Sequence, residues 1–347
     1  MTAFFNEPGV YAMVDGQFGS TGKGLLASYL AHHEGEKIDL HCSNTGPNSG
    51  HTHYFGDEKI VLKQLPSAAV YRAQMGQQPK VYLTAGAQIR PEILATEIAL
   101  HDMKGLVTIH PCALHVRQED IDAEKSVTSH TRKVAGTRQG GGAALARKVA
   151  RDPSAIMRWD SELEDGPWTL KDQSMMKWDQ MISFHEVSQG FSLGINNAFF
   201  PKVTSRECTV AQALSDACLA PQLVRNVAMV VRTYPIRVGN VDGYSSGDWY
   251  PDQKETTWAE IDQIPETTTV TNRQRRIATF SLLQFRLALM ANRPSLILLN
   301  FMQYLKWEMR AEFVRTLEAE ALATLGYKPT FLFGYGPKVT DIRKAVE

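Results

Sequence analysis

The chain of 347 residues lacks several features that would classify a protein at once. It has four cysteines, and these form no Cys-x-x-Cys pair and no metal-ligand spacing, so we expect buried thiols in a reducing compartment. Its 37 basic and 37 acidic residues cancel, which argues against a surface that coats nucleic acid or an anionic membrane. No apolar run approaches about eighteen residues, and the N-terminus lacks a basic region followed by a long apolar stretch. We therefore expect a soluble, cytoplasmic protein.

Short apolar runs alternate with helical patterns, which predicts an α/β fold with a mostly parallel central sheet and flanking helices. Strands are predicted at 10–14, 38–42, 59–65, 80–84, 106–110, 180–187, 226–232, 295–300 and 329–333. Helices are predicted over 91–103, with proline in the first turn, and over 273–291 and 307–325. No break in composition marks a boundary, so we predict one domain over residues 1–347 with helical insertions at about 119–179.

A glycine-dense segment, residues 16–24, lies between the first predicted strand and helix-like residues 25–30. Bare backbone N–H groups, a helix N-terminus and the charge of Lys23 meet there, which predicts a phosphate site. The standard phosphate loop has Gly, four residues and then Gly-Lys-Ser/Thr. Here Gln17 replaces the first glycine and Gly24 replaces the hydroxyl residue. The motif is therefore a variant, and an ordinary glycine-rich turn is the alternative interpretation.

Two motifs carry a resemblance to a known family. Residues 17–24, Gln-Phe-Gly-Ser-Thr-Gly-Lys-Gly, and residues 48–52, Asn-Ser-Gly-His-Thr, resemble the two N-terminal signatures of adenylosuccinate synthetase. That family usually has Gln-Trp-Gly-Asp-Glu-Gly-Lys-Gly and Asn-Ala-Gly-His-Thr, and further matches follow in the same order to the C-terminus. The resemblance implies a variant P-loop-type nucleotide-binding fold. It also implies a ligase that joins a purine 6-oxo group to aspartate through a 6-phosphoryl intermediate, with Mg²⁺ and a nucleoside triphosphate.

The resemblance also implies roles for individual residues. Catalytic roles fall on Ser20, Lys23, His51 and Gln189, and a magnesium site on Ser20 and the Gly50 carbonyl. The triphosphate is assigned to Gly22, Lys23, Gly24, His51, Thr52, Asn300, Gly334, Gly336 and Pro337. The monophosphate is assigned to Ser20, Asn48, Thr137, Arg151, Gln189 and Thr204, with Arg151 acting across a homodimer. Aspartate is assigned to Thr271, Arg273 and Arg275.

Two of these assignments have simpler alternatives. Guanidinium groups bind carboxylates bidentately, which suits Arg273 and Arg275 to a dicarboxylic amino acid, but a solvated basic face or a nucleic-acid patch is the alternative. His51 could be a histidine held in a turn rather than an acid or charge stabiliser.

Three departures from the family point to different substrates. Ser20 stands where the family has its catalytic aspartate, and a short hydroxyl leaves room beside a purine 2-amino group. Leu298 and Asn300 stand where the family has Lys and Asp; a neutral amide both donates and accepts, which permits adenine in the donor. These changes resemble the phage branch of the family that makes 2-aminoadenine nucleotides. That branch implies dGMP, L-aspartate and ATP or dATP as substrates, in the host cytoplasm.

Two alternatives remain open at this stage. The chain could be an ordinary adenylosuccinate synthetase that acts on IMP, or a non-catalytic nucleotide-binding protein, since serine is a poor base. The residue that takes the purine N1 proton is also open. Asp15 at the strand end is one candidate, although strand-end aspartates are more often caps.

Overall fold

A computed structural model describes residues 3–157, 166–268 and 272–347. Its strands are β1 Gly9–Asp15, β2 Leu40–Ser43, β3 His51–Phe55, β4 Glu58–Leu62, β5 Val81–Leu83, β6 Gln88–Ile89, β7 Val107–Ile109, β8 Leu114–His115, β9 Thr169–Leu170, β10 Ile182–Glu186, β11 Val224–Arg232, β12 Ile236–Arg237, β13 Glu255–Thr256, β14 Arg276–Ala278, β15 Leu296–Asn300, β16 Thr330–Gly334 and β17 Ile342–Arg343. Its α-helices are α1 Lys23–Glu34, α2 Ser67–Gln74, α3 Pro91–Leu100, α4 Gln118–Lys125, α5 His130–Lys133, α6 Gly141–Val149, α7 Val210–Asp216, α8 Leu282–Asn292 and α9 Trp307–Leu325.

One twisted sheet dominates the described residues. Its strand order is β17-β16-β15-β11-β1-β10-β2-β5-β7-β9, and each adjacent pair is parallel except β16 with β17. Parallel strands are covered on both faces, and β1 is buried along its whole length. The α/β architecture with a mostly parallel sheet and flanking helices is therefore confirmed.

Successive residues of β1 enter two different cores, as the side-chain alternation of a strand requires. Tyr11 and Met13 pack with Leu26 of α1 on one face of the sheet. Val14 packs on the other face with Leu289 of α8 and the apolar side of α9. The helices that flank the nucleotide loop and the C-terminal strands are thus held by the central strand itself.

Most predicted elements are present, with two corrections. The predicted strand at 59–65 is β4, which pairs antiparallel with β3 in a hairpin outside the central sheet. The predicted helix at 273–291 is wrong in its first part, because β14 forms there and pairs with β12 and β13. Helix α8 begins only after Ser281, whose hydroxyl accepts a hydrogen bond from the backbone N–H of Gln284 at 2.8 Å.

Other boundaries differ by less. Helix α3 ends at Leu100 rather than at residue 103, and α9 has the predicted bounds. Helices α4, α5 and α6 and strand β9 lie within the predicted insertion at 119–179 or overlap its start. That a single domain holds all 347 residues stays a prediction.

The arrangement places four polar side chains at one edge of the sheet. Strands β1, β10, β11 and β15 are neighbours or near neighbours, and they end at Asp15, Glu186, Arg232 and Asn300. The carboxyl ends of parallel strands are the usual place for ligands in open α/β sheets. This edge is therefore the expected position of a ligand site.

Candidate active site

The loop between β1 and α1 is organised by Asp15. Its carboxylate accepts hydrogen bonds from the backbone N–H groups of Gln17 at 2.9 Å and Gly19 at 3.2 Å, and from the Thr21 hydroxyl at 2.6 Å. It also lies 3.3 Å from the Lys23 ammonium. Asp15 is buried and does not line the cavity described below. The structure therefore assigns Asp15 to the loop, as the cap interpretation predicts, and not to the substrate.

Gly22 and Gly24 are required by close approach. Gly22 adopts a left-handed φ of 100° directly before α1, where a β-carbon would lie 2.1 Å from the Asn300 carboxamide nitrogen. A β-carbon on Gly24 would lie 2.2 Å from the Thr52 carbonyl oxygen of β3. Helix α1 thus packs directly on the hairpin strand. This contact explains why the Ser/Thr of the standard phosphate loop is replaced by glycine here.

Lys23 and Gln189 join the phosphate loop to the loop after β10. The buried Lys23 ammonium donates to the Gln189 carbonyl at 2.7 Å. The Gln189 carboxamide nitrogen donates to Asn48 Oδ1 at 2.9 Å and to the Ser49 hydroxyl at 3.0 Å. Gln189 has a left-handed φ of 68°, and its carbonyl and its side chain contact different segments. Three motifs separated in sequence therefore meet at one point.

His51 is the first residue of β3 and faces this junction. Its side chain is buried, and its Nε2 has no hydrogen-bond partner among the described residues. Burial, together with the nearby Lys23 charge, lowers the pKa of His51 to about 3. The imidazole is therefore neutral at pH 7. A buried ring nitrogen without a partner is available to a ligand group, which favours a functional histidine over one held only by its turn.

A cavity of about 890 Å³ collects most of the predicted site residues. Those that line it are Ser20, Gly22, Lys23, Gly24, Asn48, Gly50, His51, Thr52, Thr137, Gln189, Thr204, Arg275, Asn300, Gly336 and Pro337. The volume is in the range of small-molecule sites. Residues as far apart in the sequence as Ser20 and Pro337 thus share one cavity.

Three predicted residues do not line this cavity, and a fourth is not described. Gly334, at the end of β16, packs against the Asn300 carboxamide. Arg273 lines a second hollow of about 380 Å³, which Arg275 also lines. Arg151 follows the C-terminal end of α6, is exposed and does not line the cavity. Thr271 lies outside the described residues.

Asn300 lines the cavity, but its carboxamide is engaged with the backbone. The nitrogen donates to the Thr21 carbonyl at 3.0 Å, and the oxygen accepts from the Phe301 N–H at 2.9 Å. The amide nitrogen thus joins β15 to the phosphate loop, and the oxygen caps the residue that follows β15. Each end already has one backbone partner, and that Asn300 reads the donor base stays a prediction.

Several cavity residues carry no sequence motif. Gln303 is exposed in a 3-10 turn after β15, and its carboxamide has no hydrogen-bond partner within the described residues. Glu124 accepts from the N–H groups of Gly140 and Gly142, both at 2.8 Å, and so shapes the loop after Thr137. Glu266 also lines the cavity, and its carboxylate receives the buried Arg232 guanidinium. In the sequence, only the position of Arg232, a charged residue at the end of an apolar strand, indicates that it belongs to a site.

The oxygen atoms offered to a magnesium ion are neutral. Ser20 is exposed to the cavity, and Gly50 also lines it. The nearby carboxylates of Asp15 and Glu124 are taken up by loop N–H groups. Among the described ranges no group of three or more His, Cys, Asp or Glu side chains is arranged to hold a metal ion. Mg²⁺ commonly takes substrate phosphates as ligands, so Ser20 and Gly50 fit an ion whose charge is balanced by nucleotide.

These features define a nucleotide-binding α/β enzyme with a variant phosphate loop. Comparison with known proteins agrees. The family model of adenylosuccinate synthetase matches residues 12–179 and 173–308. An N6-succino-2-amino-2′-deoxyadenylate synthase of Vibrio phage phiVC8 is 34% identical over 343 residues, covering 95% of this chain and 96% of that protein. The enzyme of the same name from Salmonella phage PMBT28 is 35% identical over 363 residues, with coverage of 95% and 96%.

A solved structure is also similar. It is cyanophage S-2L succinoaminodeoxyadenylate synthetase bound to dGMP and to dATP as an energy donor, with a TM-score of 0.86 and 32% identity over 97% of this chain and 95% of that one. The chain described here belongs to the adenylosuccinate synthetase family, and its enzyme class is carbon–nitrogen ligase. None of its helices, among the residues that the structure describes, has the length and apolar character to cross a membrane.

Proposed function

We propose that this enzyme joins L-aspartate to the 6-position of dGMP, with ATP or dATP as phosphoryl donor. The products are N6-succinyl-2-amino-2′-deoxyadenylate, the nucleoside diphosphate and phosphate. Two similar proteins carry the name of this activity, and a third is bound to dGMP and dATP. In the chain itself, the proposal rests on Ser20, which replaces the family's aspartate and is exposed to the cavity.

The residue at position 20 decides how much room a purine has beside its N1 and C2 atoms. A carboxylate there could accept hydrogen bonds from both N1–H and N2–H of guanine and hold the base in a non-productive orientation. Serine removes the charge and shortens the side chain. Its φ of 54° lies in the left-handed region, which turns the side chain and the carbonyl to opposite sides: the carbonyl accepts from Arg232 and the hydroxyl remains exposed. A 2-amino purine is therefore the better fit.

The reaction needs two displacements. The 6-oxygen of dGMP attacks the γ-phosphorus, the bond to the β–γ bridging oxygen breaks, and ADP or dADP leaves. The amine of aspartate then attacks C6, and the C6–O bond breaks to release phosphate. Lys23 supplies positive charge to the donor phosphates, and neutral His51 donates a hydrogen bond to the transferring phosphoryl group. Mg²⁺, held by phosphate oxygens with Ser20 and the Gly50 carbonyl, would neutralise phosphate charge.

The monophosphate and aspartate sites follow from the same cavity. Thr137 and Thr204 both line the cavity and hold the substrate phosphate. Arg275 lines the cavity and binds an aspartate carboxylate, and we assign Thr271 and Arg273 to the same substrate. Burial lowers the pKa of Arg275 to about 10, and Glu266 opposes that shift, so the guanidinium keeps its charge.

Donor selection is assigned to Gln303 rather than to the Asn300 carboxamide. Asn300 is held by two backbone groups, whereas the Gln303 amide is free beside Phe301 and Pro337. An amide can donate to adenine N1 and accept from its 6-amino group, whereas a carboxylate in its place would favour the N1–H and N2–H donors of guanine. This chemistry suits ATP and dATP equally, because it does not involve the sugar.

A homodimer in which Arg151 binds the partner's monophosphate completes the proposal. Arg151 is exposed and lies outside its own subunit's cavity, which suits a residue that acts across an interface. The protein would work in the host cytoplasm if a phage encodes it. It has no predicted nucleic-acid or membrane partner.

The decisive assay measures phosphate release from ATP and dATP with aspartate and either dGMP, IMP or no monophosphate. Aspartate-dependent release with dGMP, together with the succinylated product, supports the proposal. Preference for IMP would instead make this an ordinary adenylosuccinate synthetase. Absence of aspartate-dependent release with both substrates, despite nucleotide binding, would identify a non-catalytic nucleotide-binding protein.

A further inference from the structure

Arg232 is a fully buried arginine at the carboxyl end of β11, between separate parts of the cavity wall. Its Nη1 donates to the Ser20 carbonyl at 3.1 Å and to Glu266 Oε2 at 3.2 Å. Its Nη2 donates to Glu266 Oε1 at 2.5 Å. One guanidinium thus joins the phosphate loop to the start of the segment that carries Arg273 and Arg275.

The same guanidinium lies over the ring of Phe301, a residue that lines the cavity. Its central carbon is 3.9 Å from the centroid of the Phe301 ring, in the range of a cation–π contact. Phe301 and Ser20 both have left-handed backbone conformations, with φ of 61° and 54°. Non-glycine residues remain in that region when surrounding contacts hold them there. Arg232 contacts both, through the ring of one and the carbonyl of the other.

Glu266 extends these contacts to the aspartate side. It accepts from the Tyr304 hydroxyl at 3.0 Å, and its Oε2 lies 3.8 Å from Arg275 Nε. Burial raises the pKa of this carboxyl, but Arg232, Arg275 and Tyr304 act in the opposite direction and leave it below its ordinary value. Glu266 therefore remains charged and orients Arg275, whose Nε also donates to the Thr267 carbonyl at 3.0 Å.

We propose that the Arg232–Glu266 pair is a positioning device that couples occupation of the nucleotide site to aspartate binding. The inference rests on the proposed function only in requiring aspartate as co-substrate. A ligand that orders Ser20 and Phe301 also fixes the Arg232 guanidinium. That guanidinium in turn fixes the carboxylate beside Arg275. Neither Arg232 nor Glu266 needs to touch aspartate for this effect.

The test compares Arg232→Lys, Glu266→Gln and the double variant Arg232→Met/Glu266→Gln. A single change can leave a buried charge without its partner and prevent folding. The double variant removes both charges and so keeps the test valid. Arg147→Lys is the control, because Arg147 and the buried Asp120 form another bidentate pair, at 2.9 and 2.7 Å, and neither residue lines the cavity. Each protein is assayed for melting temperature, for KM of dGMP and aspartate, and for aspartate affinity with and without a non-hydrolysable ATP analogue.

We expect the double variant to melt close to the parent and to raise KM for aspartate roughly tenfold, the effect of losing one charge-assisted contact. Its KM for dGMP should change less than about twofold. The analogue should strengthen aspartate binding in the parent and in Arg147→Lys but not in the double variant. Equal changes in both KM values, or an unchanged effect of the analogue, would overturn the inference. If the parent enzyme prefers IMP, the same assays with IMP still test the coupling through Arg232 and Glu266. The coupling can therefore fail or hold independently of the proposed function.

Discussion

The carboxylate of Asp15 lies 3.3 Å from the ammonium of Lys23, and both groups are buried beneath the phosphate loop. The family has its carboxylates within the loop itself, where this chain has Ser20 and Thr21. Here the Thr21 hydroxyl donates to the Asp15 carboxylate at 2.6 Å. In this chain the acidic group nearest Lys23 therefore belongs to the strand beneath the loop. It keeps a negative charge near Lys23 without presenting it to the purine.

Asp15→Asn should destabilise the loop rather than remove a base. Breaking a buried ion pair by neutralising one partner costs about 3–5 kcal/mol, and the introduced amide N–H₂ would face existing donors. We expect a lower melting temperature and a higher KM for ATP. Asp39→Asn is a suitable control, because Asp39 also accepts a backbone N–H, from Ile182 at 2.8 Å, but lies at an exposed strand end. A loss of the acid limb of the kcat profile at unchanged stability would instead make Asp15 the N1 base.

Ser20→Asp should shift substrate preference from dGMP towards IMP. The added carboxylate crowds the 2-amino group and restores the family's charge beside N1. Aspartate tolerates the left-handed φ of 54° at this position, so the backbone need not change. We expect the ratio of kcat/KM for dGMP to that for IMP to fall at least about tenfold, or about 1.4 kcal/mol. Ser20→Ala controls for loss of the hydroxyl alone, and an unchanged ratio in Ser20→Asp would refute the steric account.

Gln303→Glu should raise the use of GTP relative to ATP. The substitution keeps the length of the side chain but replaces a donor–acceptor amide by an acceptor-only carboxylate, which suits the paired N1–H and N2–H groups of guanine. Turnover with each donor at saturating dGMP and aspartate gives the ratio. Asn300→Asp is the contrasting variant: its carboxylate would face the Thr21 carbonyl, so both donors should lose activity together. A switch of donor in Asn300→Asp alone would reassign base recognition to that residue.

Acid should destabilise the protein through its buried histidines. Burial lowers the pKa of His41, His51 and His185 to about 3 from 6.5. Their contribution is complete above pH 6.5 and is lost as pH falls, because the unfolded chain binds the extra protons. Glu186 acts in the opposite sense, since burial raises its pKa to about 7 from 4.5. Burial also lowers the pKa of His53, to about 4. Four histidines outweigh Glu186, so urea unfolding at about pH 5 should show lower stability than at about pH 7.5. Glu186→Gln should steepen this loss, and higher stability at the acid pH would contradict the prediction.

The extent to which the sequence predicted the site depends on how local each feature is. The phosphate loop was recognisable because nine adjacent residues place its N–H groups and Lys23 together. The need for glycine at position 24 was not recognisable, because it depends on the Thr52 carbonyl, which is close to Gly24 only in the folded structure. Arg232 and Glu266 are 34 residues apart and have no shared motif. Their pairing appears only when β11 and the loop before β14 meet.

The error at 273–291 has a comparable cause. Residues 273–278 precede a strongly helical segment and are compatible with helix by composition. In the structure Ile277 is buried and pairs with Ile236 on one side and Thr256 on the other. Tertiary pairing therefore overrides local propensity in this segment. The consequence for function is that Arg275 and Arg276 project from an extended segment, where alternate residues face opposite sides.

Complementation between two inactive variants should reveal whether Arg151 acts across a dimer. Arg151→Ala removes the phosphate contact in trans, and Lys23→Ala removes the donor contact in cis, so each homodimer should be nearly inactive. In a mixed dimer one site receives Lys23 from one subunit and Arg151 from the other and is intact, while the second site carries both defects. Random mixing gives half mixed dimers, each with one working site of two, so activity should recover to about a quarter of the parent's. Lys23→Ala mixed with His51→Ala is the control, because both residues lie in the same subunit's cavity and no mixed site is complete. Recovery in that control as well would show that the gain in activity does not come from sharing residues between subunits. No recovery with Arg151→Ala in a confirmed mixed dimer would place Arg151 in its own subunit's site.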